Sequence, residues 1–440
     1  MISLSNIKKI YHKSPQAIKK MLLRVPFSFF LGSKYREHLD YLRSFYLLSL
    51  DNKISISETF LLSYLNDAIR DTPFYMDFAK QKRWNNINSL EQFFEFPIIS
   101  KDHITEDLKW FTPIHVKRKF TVTTGGTSGK QTELLMSNDA YKKEWAYKVL
   151  MLDKGGININ SRRICLRGVD FYGSRAAIRY NPLYKEIQIS PFNLNEKSFV
   201  EILSEVESFC PEWIHGYPSS IYEFARLCKL NNVDNLNLKA ALLVSEKLYS
   251  EQSKFIESVL DVNLMSFYGM TERVIFAPKV ENDCFIPDLA YGYTEEHEGQ
   301  LIGTGYINQA TRLIRYCTGD EAIVKKKGAL VTEITSLRGR WGKEYLVGKN
   351  GTKITMTSLN VHSEELYFIK CYQFFQSIPG KCQLKIVLCE RYNPSKDMLE
   401  EARYVFQRKV GDELDISLII VDTIPLSKRG KHKFIDSTII

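Results

Sequence analysis

"VNLMSFYGMTER", Val262–Arg273, decides how this chain is read. Val262 to Gly269 is apolar and aromatic with no charge, as in a strand buried on both faces. Thr271 and Glu272 then follow directly on the strand's carboxyl end. In open α/β sheets that is where ligands bind, in the crevice beyond the strand ends. A lone glutamate there is usually a solvated loop carboxylate, so its neighbours have to supply the meaning.

The segments before it alternate between strand and helix. "RRICLRG" (162–168), "WIHGY" (213–217) and "AALLVS" (240–245) read as strands. Phe199, Ile202, Leu203 and Val206 repeat at helical spacing, as do Ile221, Phe224, Ala225 and Cys228. Ser219 or Ser220 is expected to cap the second of these helices. Phe255, Ile256 and Val259 mark a third. Strands alternating with helices predict a mixed α/β domain with a largely parallel sheet. From about Pro287 to Val331 the texture changes to short β-rich runs, "GQLIGTGYI", "RLIRYCTGD" and "ALVTEITS", which predict a small barrel or antiparallel sheet. After "RGRWGKE" (338–344) the chain reads as a compact α+β unit. "CQLKIVLCE" and "ISLIIVD" are its strands, and a helix falls near Asp397–Val410. A boundary is expected near Arg340, giving units of 1–340 and 341–440.

With 440 residues, 44% hydrophobic and 25% charged, the composition is that of a globular chain with a sizeable core. No run reaches the length of a membrane span. "MLLRVPFSFFLG" (21–32) is broken by Arg24 and Pro26 and lacks a small-residue cleavage site, so no secretory signal is expected. The eight cysteines form no CxxC pair, which argues against a disulfide framework or zinc site. Each is expected to pack as a small hydrophobe in a reducing cytoplasm.

The net charge of +9 is uneven. Residues 1–50 hold nine lysines and arginines against Glu37 and Asp40. They interleave with Leu22, Leu23, Val25, Phe27, Phe29 and Phe30. The plain expectation is a helix packed by its apolar side; the alternative is peripheral contact with an anionic membrane face. No nucleic-acid motif accompanies the charge.

Three further stretches carry chemistry. "TVTTGGTSGK" (121–130) concentrates glycines, hydroxyls and a lysine, a composition that lets backbone N–H groups and side chains surround an anion. It is not a Walker A loop, because only three residues separate Gly125 from Gly129 and Gln131 follows Lys130. "RYCTGDE" (315–321) places Asp320 after a glycine turn. "PLSKRGKHKFI" (425–435) is strongly basic and carries Pro425, Gly430 and Lys431.

In this order the stretches resemble the adenylate-forming, AMP-forming ligase superfamily over nearly the whole chain. "TGGTSGK", "GYPSSIYEFA" and "RGKHKFI" are most similar to its phenylacetate–CoA ligase and CapK-like capsule polysaccharide branch. The resemblance implies an α/β fold with a large N-terminal adenylation domain, mixed parallel sheets plus a small β-barrel, and a small α+β C-terminal lid domain. It implies an ATP- and Mg²⁺-dependent ligase that makes an acyl-AMP from a carboxylic acid and passes the acyl group to CoA or to an amine such as an amino sugar.

Residue roles follow from the same resemblance. Thr124, Gly125, Gly126, Thr127, Ser128, Gly129 and Lys130 would hold the departing phosphates. Glu272 would help bind Mg²⁺, and Thr271 would touch the α-phosphate. Ser245, Glu246, Lys247, Tyr268, Gly269 and Met270 would flank the adenine. Asp320 and Arg340 would contact the ribose, and Lys431 would be the adenylation lysine. The chain departs from the family after Arg340, where Gly342 and Lys343 stand in place of the usual acidic hinge; this bears on the second half-reaction. The acid pocket is expected between about Arg167 and Tyr217, plus Phe267. His215 is either a packed strand-end residue or a substrate contact. A non-catalytic nucleotide-binding scaffold in a polysaccharide assembly complex is the alternative. The expected location is cytoplasmic, with peripheral contact at the inner membrane face as the alternative.

Overall fold

The computed structural model describes residues 25–117, 119–123, 132–167, 177–191, 193–194, 196–233, 235–245, 248, 250–280, 284–338, 345–355, 359, 366, 368–388, 392–425 and 434–439. Numbered below are its strands and its longer helices.

Helix α1 (Phe27–Tyr46) buries Phe27, Leu31, Tyr35, Leu39, Leu42 and Phe45, an apolar stripe at three- and four-residue spacing. Its apolar side packs inward, although Phe29 is 74% exposed, and residues 1–24, which hold six of the nine cations of the basic N-terminus, lie outside the described residues. Helix α2 (Leu50–Asp71) opens on Ser49, whose hydroxyl accepts from the Asn52 N–H. Helix α3 (Pro73–Lys82) starts on a proline, whose missing N–H costs nothing in a first turn. None of the described helices is long and apolar enough to cross a membrane.

Strands β1 (Lys119–Thr123) and β2 (Glu133–Ser137) pair antiparallel. The expected phosphate stretch, Thr124–Lys130, connects them and lies outside the described residues. Strand β2 runs into helix α4 (Asn138–Lys154), capped by the Ser137 hydroxyl, and α1 lies against it.

The central sheet takes β3 (Arg163–Leu166), β4 (Ile178–Asn181), β5 (Glu186–Ile189), β6 (Trp213–Gly216), β7 (Ala240–Leu243), β8 (Asn263–Gly269) and β9 (Phe276–Pro278). Its order is β4-β5-β3-β6-β7-β8-β9. The five middle strands are parallel and the two edge pairs antiparallel. Helices α5 (Glu196–Phe209), α6 (Pro218–Leu230) and α7 (Ser250–Leu260) make the crossovers. Period-two alternation sorts each strand between two cores. Ile164, Leu166, Ile214, Ala241 and Leu243 pack with these crossover helices. Trp213, Ala240 and Leu242 face the other way, into the core shared with α1, α2 and α4. Gly216 allows β6 to lie close on β3; a Cβ there would stand 2.3 Å from the Leu166 carbonyl oxygen.

Two local expectations are corrected. Helix α6 begins at Pro218 with Tyr217 as its N-cap, so neither Ser219 nor Ser220 caps it. The fixed φ of proline starts that helix without a side-chain cap. Cys210 is exposed rather than packed; it sits in left-handed backbone (φ 50°) at the turn after α5, beyond the reach of the core.

Strands β10 (Gly292–His297), β11 (Gln300–Gly305), β12 (Tyr316–Lys327) and β13 (Leu330–Arg338) form an antiparallel sheet in that order. Its first and last strands approach each other, so the sheet curls toward a barrel. A hairpin of β14 (Tyr345–Val347) and β15 (Lys353–Thr355) follows. The last sheet has the order β18-β17-β16-β19, from β16 (Ile369–Ile378), β17 (Lys381–Leu388), β18 (Asp415–Ile420) and β19 (Ile435–Ser437). Helix α8 (Lys396–Val410) packs Ala402, Val405 and Phe406 on it, in a core drawn wholly from residues between Leu346 and Ile435. The buried Gln376 amide holds the hairpin to this sheet through both backbone groups of Val347, at 2.7 and 2.8 Å.

Candidate active site

Strand β8 differs from its neighbours. Strands β3, β6 and β7 are buried almost throughout, whereas Leu264 to Tyr268 are all half-buried. Successive side chains point to opposite faces, so Phe267 turns toward α4 and Tyr268 toward β12. The Tyr268 hydroxyl donates to Asp320 Oδ2 at 2.8 Å. The Tyr316 hydroxyl, at the start of the same β12, donates to Glu272 Oε1 at 3.1 Å. The YGMTE and TGD stretches, about fifty residues apart in sequence, are thereby one constellation.

The turn at Asp320 is built locally. Gly319 is left-handed (φ 71°), which glycine adopts freely. The Thr318 hydroxyl donates to the Leu301 carbonyl at 2.9 Å and accepts from the Asp320 N–H at 3.1 Å. Arg315, just ahead, grips Glu295 with two nitrogens and the Phe94 and Phe96 carbonyls with a third.

The loop bearing Met270, Thr271 and Glu272 is held from beneath. Added Cβ atoms at Gly292, Gly303 and Gly305 would stand 2.7 Å from the Val274 carbonyl oxygen, 2.7 Å from Ile275 and 2.0 Å from the Arg273 carbonyl oxygen. These glycines let the Arg273–Ile275 backbone lie flat on β10 and β11. Arg273 itself is left-handed (φ 62°), and its guanidinium pairs with Glu144 of α4. Glu144 also takes Lys148 at 2.9 Å. Ser245, two residues beyond the Leu243–Ser266 pair, is left-handed too (φ 69°), as is Arg315 (φ 51°). Three non-glycine residues in strained backbone thus border one site, the pattern of a pre-organised functional region.

On the α4 side of β8, Trp145, Lys148 and Phe267 come together, with the Lys148 nitrogen 5.4 Å and 5.6 Å from the two ring centres. Burial pushes the Lys148 ammonium down to about 8, and Arg167 and Arg163 push the same way against the opposing effect of Tyr141. Burial, and then Arg167, Arg163 and Lys148, hold His215 well below the ordinary histidine range, so its ring is neutral. Burial raises the Cys165 thiol to about 12, which makes it inert.

Of the residues singled out from sequence, Tyr268, Gly269, Met270, Thr271, Glu272, Asp320 and Ser245 gather at the end of β8 and on the facing β12. Lys130 and the rest of 124–130, Glu246, Lys247, Arg340 and Lys431 lie outside the described residues. Sequence reasoning passed over Tyr316, Arg315, Glu144, Lys148 and the three glycines. The glycine signal was visible in "GQLIGTGYI", whose glycines lie too close together for ordinary strand filler.

Comparison with known proteins fits this arrangement. Residues 346–438 match the model of the CapK C-terminal domain. Protein CapK of Staphylococcus aureus is 19% identical over 97% of this chain and 98% of its own length. A 2-hydroxyisobutyryl-CoA ligase, solved with 2-HIB-AMP and CoA in the thioesterification state, superposes with a TM-score of 0.54. It is 16% identical, over 89% of this chain and 91% of that one. The same ligase in a postadenylation state, with R3-HIB-AMP, gives 0.53 at 15% identity over 89% and 90%. This chain has the fold of an adenylate-forming ligase. The CapK-like similarity and the ligase fold agree with the resemblance seen in the motifs. The constellation of Tyr268, Asp320 and Glu272 stands where the carboxyl end of β8, in the largely parallel sheet, meets β12, the kind of strand end at which an α/β sheet takes its ligands.

Proposed function

We propose that this protein activates a carboxylic acid with ATP as an acyl-adenylate and passes the acyl group to CoA or to an amine such as an amino sugar, in the assembly of a surface polysaccharide. The observation that carries this reading is the Tyr268–Asp320 hydrogen bond with Glu272 braced alongside by Tyr316. Asp320 would accept from ribose hydroxyls and Tyr268 would flank the base. Ligases of the same fold that were solved with an acyl-AMP and with CoA support it.

In the first step a carboxylate oxygen attacks the α-phosphorus of ATP. The bond to the bridging oxygen breaks, and pyrophosphate leaves with the electron pair. The protein's part is to hold the reactants in line and to stabilise the charge that builds on phosphate oxygens. Thr271 would touch the α-phosphate; Thr124–Lys130 would hold the leaving pyrophosphate. Lys431 would supply a positive charge to the reacting centre. In the second step a thiol or amine attacks the acyl carbon and AMP leaves. The division at residues 340 and 341 would let the C-terminal unit present Lys431 in the first step and withdraw in the second.

Glu272 fits a Mg²⁺ ion that arrives with the nucleotide. The described residues contain no group of three metal-ligating side chains. A single carboxylate, with substrate phosphates as the other ligands, is the usual arrangement for this ion. It would neutralise phosphate charge when bound.

The basic N-terminal segment suits a cytoplasmic enzyme working beside an anionic membrane face. A non-catalytic scaffold would keep nucleotide binding without turnover. Pyrophosphate release from ATP and Mg²⁺, tested against aryl, hydroxy and amino acids with and without CoA, separates the two. Acid-dependent release is expected, and Lys431→Ala lowers it roughly a thousandfold while ATP still binds. ATP binding with no release for any acid contradicts the enzyme reading.

A further inference from the structure

The mechanism above leaves one buried charge without a task. Lys148 projects from α4 onto the face of β8 opposite Asp320. Its side chain keeps 23% of its surface, so it is within reach of a ligand rather than sealed in the core. Trp145 and Phe267 lie against it.

Among the described residues the charges around it do not balance. Arg163 is matched by Glu186, at 2.7 Å. Glu144, however, is shared by Lys148 and Arg273, two cations on one carboxylate. Arg167, at the carboxyl end of β3, adds its field to the same group. His215 is neutral and offers no compensation. Among the described residues the cluster therefore holds three cations, Lys148, Arg163 and Arg273, against Glu144 and Glu186, with the exposed Arg167 adding its field from outside. An unbalanced, partly desolvated cation is costly and is retained where a ligand completes it.

Position says which part of a ligand meets Lys148. The cation stands at Phe267, four residues before Thr271, and on the other side of the strand from the Tyr268–Asp320 contact. It therefore lies away from the point where the reacting carboxylate must meet the α-phosphate. Flat aromatic walls beside a cation suit a chain or ring that ends in an anion.

We propose that Lys148 is a specificity-determining residue that pairs with a second anionic group at the far end of the acid, so that the substrate is an acid carrying a further carboxylate or phosphate. This rests on the adenylation reading for the identity of the ligand, but not for the test of the Lys148 pairing. The single negative charge of an ordinary fatty or aryl acid would be spent at the phosphorus and would leave Lys148 with only the Glu144 carboxylate that it shares with Arg273.

The test uses matched acids, butyrate with succinate and benzoate with isophthalate, on the full chain. Pyrophosphate release is measured for the parent, Lys148→Met and Lys148→Arg. The parent is expected to favour the dianion of each pair by tenfold or more in kcat/KM. Lys148→Met abolishes the preference without changing KM for ATP, and Lys148→Arg retains it. A preference for monoanions in the parent, or one that survives in Lys148→Met, overturns the proposal. Calorimetric binding of the same four acids keeps it testable if no acid is turned over. Tighter dianion binding lost in Lys148→Met then upholds the Lys148 pairing while the ligase reading fails. Equal binding of mono- and dianions overturns the pairing as well. Unchanged thermal melting of Lys148→Met separates lost recognition from lost folding.

Discussion

Gly305→Ala tests whether the loop that carries Glu272 is positioned by the sheet beneath it. A Cβ at Gly305 would stand 2.0 Å from the Arg273 carbonyl oxygen, where ordinary contact begins at 3.4 Å. Backbone faces backbone there, so no side-chain rotation relieves the clash. The carbonyl must retreat by about 1.4 Å, and Glu272 is the preceding residue. Overpacking of this kind costs about 1–3 kcal/mol of stability. Displacement of a reacting group by about 1 Å costs roughly a hundredfold in rate. Pyrophosphate release should therefore fall about a hundredfold, with the melting temperature lowered by a few degrees. Gly299→Ala is the control. Gly299 is left-handed (φ 79°), unlike Gly305, and nothing lies within 4 Å of its added Cβ. It should lose stability through backbone strain with turnover unchanged. Wild-type turnover in Gly305→Ala, or equal losses in both variants, would refute the positioning argument.

Other outcomes follow from the same geometry. Asp320→Asn tests the proposed ribose contact and should raise KM for ATP about tenfold, read by initial rates with the acid saturating; an unchanged KM removes Asp320 from the nucleotide site. Glu186→Gln strands Arg163, whose side chain is 7% exposed, and should cost roughly 3–5 kcal/mol in urea unfolding. His38 is held near 4, chiefly by burial and then by Lys143, so its neutral form is the folded one. The unfolded chain takes up that proton first, so the stability is present above about 6.5 and lost as the pH falls through about 4. Asp288, raised to about 6 by burial, acts in the opposite sense over part of that window. The check is therefore the stability of the parent minus that of His38→Gln, which should fall as the pH drops from 7 to 4.5.

Much of the fold could be read from the chain because four of its five parallel strands, β3, β5, β6 and β7, are buried on both faces, β8 being only half-buried. "RICL" and "AALL" announce themselves by lacking alternation, and the crossover helices by their three- and four-residue repeats. The helix start at Pro218 was misread, because two serines offered caps that the proline made unnecessary. Tyr268, Glu272 and Asp320 were legible as strand-end polar groups in a recognisable order. Their partners were not. Tyr316 reads as one more apolar strand residue until its hydroxyl is seen on Glu272. Glu144 and Lys148 read as an ordinary i,i+4 surface pair on a helix. Only the fold turns that pair inward, against Arg273 and Phe267. The glycines of β10 and β11 matter through what lies on them, a contact between segments about thirty residues apart or less that no local pattern records.

The most direct test of the central claim follows oxygen. Acids labelled with ¹⁸O in the carboxylate are incubated with the protein, ATP, Mg²⁺ and an acceptor, and the AMP formed is weighed by mass spectrometry. Attack of the carboxylate on the α-phosphorus leaves one of its oxygens on AMP when the acyl group moves on. One ¹⁸O in AMP is the predicted result. Unlabelled AMP, or ADP as the nucleotide product, would contradict acyl-adenylate formation.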